Sequence, residues 1–111
     1  MAKTNPRFVS FQLDTYHVAY PGQDPAKLLQ KYPGRFLSLH LKDIRKDVAG
    51  DNSGAFREKD ATTMGQGKIN WPETLRAAQN EGVKWYIIED ETSAVWQGIR
   101  QSLKYLDTVR Y

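Results

Sequence analysis

At 111 residues the chain supports one domain, residues 1–111, with a modest core. It has no cysteine, which excludes disulfides and thiolate metal sites, and no apolar stretch that approaches the ~20 residues of a membrane helix. Its 16 basic and 13 acidic residues leave a net charge of +3, scattered from Lys3 to Arg110 without a run of five, so a solvated mixed surface is expected rather than a nucleic-acid stripe.

The opening MAKTNPRF lacks the apolar h-region of a signal peptide, which makes the cytoplasm the expected location. Residues 8–14 then alternate, with Val9, Phe11 and Leu13 on one face and Ser10, Gln12 and Asp14 on the other, as a strand does. Asp24-Pro25 reads as an N-cap followed by proline at the first helical position, and Leu28, Leu29 and Tyr32 supply a short apolar stripe. Residues 36–42 form a second alternating run, with Leu37, Leu39 and Leu41 opposite Ser38, His40 and Lys42. Residues 43–69 make a long polar stretch punctuated by Gly50, Gly54, Gly65 and Gly67; a structureless loop of that length is often a lid or a binding loop. Its GxG does not follow a strand directly, which argues against a dinucleotide fingerprint.

Asn70 with Glu73 resembles a capping box that opens a helix ending near Gly82. In the third run, 85–90, Glu89 shares a face with Trp85 and Ile87, while Tyr86, Ile88 and Asp90 point the other way. Ser93 is the expected cap of a last helix whose Val95, Ile99, Leu103 and Leu106 repeat at helical spacing. Trp71, Trp85 and Trp96 are expected to be packing residues.

The order β-α-β-loop-α-β-α predicts an α/β chain of three parallel strands whose C-terminal ends face one side, where ligands bind in such folds. One sheet face is left uncovered, with two open edges. That pattern suits a partial (β/α) TIM barrel, about three consecutive β/α units, since a full barrel takes ~250 residues. Asp14, His40 and Glu89 all fall at the last or near-last position of the uncovered face. Singly, Asp14 and Glu89 read as loop caps or ion-pair partners and His40 as a hydrogen-bonded core histidine. Their common parity points instead to a hard O/N ligand set suited to Mn, Mg, Co or Zn.

The words LDTYH (13–17), DPAKLLQKYPGRF (24–36), HLKD (40–43), GQGKINW (65–71) and IIEDE (87–91) resemble, in order, the xylose-isomerase-like TIM-barrel sugar phosphate isomerases and epimerases, in particular the ketose 3-epimerase branch. The resemblance implies the C-terminal portion of such an enzyme, covering its last three strands. It implies one divalent metal held by Glu, Asp, His and Glu, of which Asp14, His40 and Glu89 match the second, third and fourth. Glu89 would also be one of the two acid/base groups that move a proton next to a ketone through an enediolate. The first glutamate has no counterpart here, so the isolated chain is expected to be inactive alone. His17 falls where the epimerase branch contacts substrate oxygens. Lys42, on the face of His40, is read either as a phosphate or hydroxyl contact or as a solvated lysine.

The implied partners are a sugar or sugar phosphate, and either further copies of the chain or the missing half-barrel, with no nucleic acid and no membrane. A second reading is a non-catalytic oligomerising or sugar/metal-binding half-barrel module. A DNA-repair nuclease of related barrel ancestry fits less well, because such enzymes use many histidines and this chain has 2.

Overall fold

The computed structural model describes residues 1–111. Three short strands, β1 (Phe11–Asp14), β2 (Phe36–Leu41) and β5 (Trp85–Ile88), form one parallel sheet in the order β1-β2-β5. Four helices accompany them: α1 (Thr15–Ala19), α2 (Pro25–Lys31), α3 (Trp71–Asn80) and α4 (Val95–Thr108). A two-residue antiparallel pair, β3 (Asp43–Ile44) with β4 (Ala61–Thr62), stands apart from the main sheet. The α/β partial barrel read from the sequence is the fold observed. No helix is long and apolar enough to cross a membrane.

Local chemistry accounts for most boundaries. Asp24 accepts from the N–H groups of Ala26 and Lys27, and Pro25 occupies the first helical position of α2. Asn70 caps α3 by accepting the Glu73 N–H. The return bond of that cap differs from the usual box: the Asn70 amide donates to the Glu73 carboxylate at 3.1 Å. The first strand is shorter than its alternation suggested. Val9 turns back onto Asn5, its carbonyl is taken by Arg35, and Phe8 is left exposed.

The core lies between the sheet and its helices. Leu13, Leu39 and Leu41 are buried on the helix side with Tyr16, Leu29, Leu75 and Ala78. Burial of such side chains is worth roughly 1.5–3 kcal/mol each. The opposite face is bare: Trp85 is 63 % exposed and Ile87 43 %. Trp71 is a packing residue as expected, but Trp85 and Trp96 are not, since nothing in the chain lies over them. Tyr86, on the edge strand β5, and Leu37, near the start of the central strand β2, are exposed as well.

The structure departs from the sequence reading at three further points. Ser93 does not cap the last helix: Ala94 holds that position without a side-chain bond, and the Ser93 N–H donates to Glu58 instead. The buried line of α4 runs through Gly98 and Ser102, leaving Leu103 52 % exposed. The 43–69 stretch is not structureless, since it carries β3, β4 and a 3₁₀ turn at Glu58–Asp60.

Candidate metal centre

Parallel pairing places Asp14 opposite His40, and His40 opposite Ile87, so the ends of β1, β2 and β5 align. Thr15 fixes that alignment. Its buried hydroxyl donates to the Lys42 carbonyl at 2.7 Å and accepts the Lys42 N–H at 3.0 Å, clasping the end of β1 to the end of β2. Asp14 is both the last residue of β1 and the N-cap of α1, a short helix the sequence reading missed. One carboxylate oxygen accepts the His17 N–H at 3.1 Å. That bond leaves the other oxygen turned toward His40, with Oδ2 3.8 Å from Nδ1.

His40 Nδ1 also lies 3.0 Å from Glu89 Oε2. The ligand atoms of Asp14, His40 and Glu89 fall within 4.8 Å of one another, and all three side chains are partly open to solvent. Ligand atoms about 2.0–2.2 Å from a shared ion sit roughly 3–3.5 Å apart, so small rotations suffice to close the set. Two carboxylates converging on one ring nitrogen are a donor set a divalent ion fits. Strand parity had selected these three residues, and the fold brings them together.

Lys42 shares that face but is not solvated. Its side chain is 3 % exposed, and Nζ sits 3.0 Å from Glu89 Oε2 and 2.9 Å from Glu91 Oε2. Two aromatic rings wall it in, Phe56 at 4.5 Å and Tyr16 at 5.9 Å from the ammonium. Burial works against the lysine charge, but the Glu91 and Glu89 hydrogen bonds outweigh it and raise its pKa above the ordinary value. Burial likewise pushes Glu89 up, and the Lys42 bond and charge, with His40, pull it below the ordinary carboxylate value. His17 lies at the same end, exposed, its ring edge-on to Tyr16 at 5.3 Å.

Asp43 is the residue that sequence reasoning passed over. It is fully buried and accepts five N–H donors: Ile44 and Ile69 on Oδ1, and Gly65, Gly67 and the Trp71 indole on Oδ2, at 2.7–3.3 Å. One carboxylate thereby folds the 43–69 excursion back onto the sheet. Gly67 packs so closely on Asp43 and the Ile44 carbonyl that no Cβ fits there. Glu58 then ties the excursion to the segment after β5 through Ser93. The sequence signal was present in HLKD and GQGKINW, words that the hub joins.

Asp90 points to the helix side, as parity required. It accepts from the Thr92 N–H and hydroxyl and rests against Gly98 of α4, where an added Cβ would meet its carboxylate. Gly98→Ala is therefore expected to lower stability by about 1–3 kcal/mol, read as a lower urea midpoint at unchanged slope.

The sequence profile described as a xylose isomerase-like TIM barrel matches residues 1–109. An inosose dehydratase of Bacillus cereus (strain AH820) is 32% identical over 99 residues, covering 82% of this chain and 33% of that protein. An inosose dehydratase of Clostridium botulinum (strain Eklund 17B / Type B) is 32% identical over 104 residues with the same coverage. A sugar phosphate isomerase/epimerase from Parabacteroides distasonis ATCC 8503 superposes with a TM-score of 0.75 at 27% identity, over 97% of this chain and 33% of that one. The IOLI protein, solved with a bound zinc atom, superposes with a TM-score of 0.68 at 20% identity, over 88% of this chain and 36% of that one. The chain thus spans about a third of the length of the curated relatives it matches.

Proposed function

The chain belongs to the xylose isomerase-like TIM barrel family, and on that premise we propose that Asp14, His40 and Glu89 are metal ligands of a sugar-converting site acting by proton transfer next to a carbonyl. The observation that carries this reading is the convergence of the three ligand atoms within 4.8 Å at the strand ends. A bound divalent ion (Mn, Mg, Co or Zn) supplies Lewis-acid polarisation of a substrate carbonyl. Glu89 is the proton-moving group: its carboxylate sits at the strand ends 3.0 Å from both His40 and Lys42, where it can accept a proton from the carbon next to that carbonyl, and those two neighbours lower its basicity. His17, exposed at the same end, is the side chain that would meet substrate oxygens; Lys42, read from the sequence as a second such contact, is buried and held by Glu89 and Glu91, so it faces the site from behind Glu89.

The substrate class is a polyhydroxylated ketone, a ketose or its phosphate or a cyclic inosose, converted in a cytoplasmic sugar pathway. Proton removal through an enediolate is common to epimerisation and to dehydration, so relatives named for either reaction agree with it. Epimerisation needs a second acid/base group on the far side of the carbon. We infer that a carboxylate from outside these 111 residues supplies it, and that the chain alone is inactive.

The test has two stages. Mn, Co and Zn titrations of the chain are expected to give binding at one site. Ketose and inosose substrates in heavy water are expected to exchange hydrogen only once the remaining barrel portion is supplied, and Glu89→Gln is expected to lower that exchange by at least ~100-fold. Absence of metal binding in both preparations overturns the reading.

A second reading, a non-catalytic module held in a larger assembly, is favoured by one observation: the bare apolar face carrying Trp85 and Ile87. Sedimentation showing a stable monomer at high concentration would count against it.

A further inference from the structure

Glu89 Oε2 has two suitors. His40 Nδ1 and Lys42 Nζ both lie 3.0 Å from it, and Lys42 holds Glu91 Oε2 at 2.9 Å with its next donor. The ammonium cannot swing away, because its stem is buried and Phe56 and Tyr16 wall it in. A buried ammonium is also costly to leave unpaired. The positive charge therefore stays at the rim of the Asp14–His40–Glu89 cluster, against an oxygen that a divalent ion would need.

We propose that Lys42 is a built-in counter-cation of the metal centre, a positioning residue that competes with the divalent ion for Glu89 and so sets the affinity of the site. The proposal rests on the metal-centre reading above and goes beyond substrate contact. If Glu89 turned from Lys42 to a divalent ion, Glu91 would keep the ammonium paired. Glu91 is thus the alternative berth that makes exchange possible without stranding a buried charge. Two substitutions have opposite consequences. Removing the ammonium leaves Asp14 and Glu89 without their competitor, so metal binds tighter. Removing the Glu91 charge throws Lys42 wholly onto Glu89, so metal binds more weakly.

The experiment is calorimetric titration of the chain with Mn and Zn ions, with folding of each variant checked by far-ultraviolet circular dichroism. Lys42→Met is expected to tighten binding by about tenfold or more, and Glu91→Gln to weaken it by about threefold or more. Lys42→Arg, which keeps the charge, is expected to stay near the parent affinity. Equal or weaker binding by a folded Lys42→Met, with the parent chain binding, overturns the counter-cation alone. No binding by the parent or any variant overturns the metal centre and the counter-cation together. If Lys42→Met does not fold, Glu91→Gln decides, and unchanged or tighter binding there overturns the proposal.

Discussion

Asp43→Ala is expected to destabilise the chain by about 4 kcal/mol or more, enough to abolish a cooperative unfolding transition in a domain of this size. Five N–H groups lose their acceptor at once, and each buried donor left unpaired costs roughly 1–3 kcal/mol. Small domains begin with only about 5–15 kcal/mol in total. Asp43→Asn preserves the shape but turns an amide N–H₂ toward donors, so it should recover only part of the loss. Urea unfolding followed by tryptophan fluorescence measures both. Trp71 reports directly, because its indole N–H is one of the five donors. A native-like transition in Asp43→Ala would mean that the 43–69 segment is held by apolar contacts instead.

His40→Ala is expected to weaken divalent-metal binding by at least ~100-fold, more than the 10–100-fold typical when a residue merely supporting a ligand is lost. His40 Nδ1 reaches both carboxylates, 3.0 Å from Glu89 and 3.8 Å from Asp14. Removing it also frees two carboxylates to repel each other, so the variant should retain its fold but bind metal only at high concentration. Isothermal titration measures the affinity, and the unfolding midpoint checks the fold. Full retention of affinity would exclude the imidazole as a ligand.

Asp14, His40 and Glu89 were legible in the sequence because strand periodicity is an exact period of two, and a strand-end residue keeps its face whatever lies around it. Lys42 was placed on the right face by the same rule. Its burial was not legible, since that depends on Phe56, which arrives from the middle of the long excursion. The excursion was the least readable part. Periodicity is silent where one buried carboxylate, rather than a hydrophobic stripe, organises the backbone, and Asp43 gathers partners 22–28 residues away. Helix α1 was missed for a related reason. At five residues it is too short to show a stripe, and its only local signal was Asp14, which the strand reading had already used. The faces of α4 misled in the opposite way: its apolar spacing is helical, but what it buries is Gly98 and Ser102, chosen by close approach to Asp90 and to the Met64 N–H.

Sheet order that follows chain order has a kinetic corollary. The clasp of Thr15 on Lys42 closes 27 residues and the Trp71 bond to Asp43 closes 28, whereas His40 reaches Glu89, and Lys42 reaches Glu91, across 49. Loop-closure entropy rises slowly with length, and low contact order favours rapid assembly. The β1–β2 pair and its folded-back excursion close across shorter separations than β5 does, so β5 is expected to dock after them, which folding-rate changes in variants of each strand would measure. Glu89 directly follows that last strand, so the residue proposed to move the proton reaches His40 only by closing a 49-residue separation.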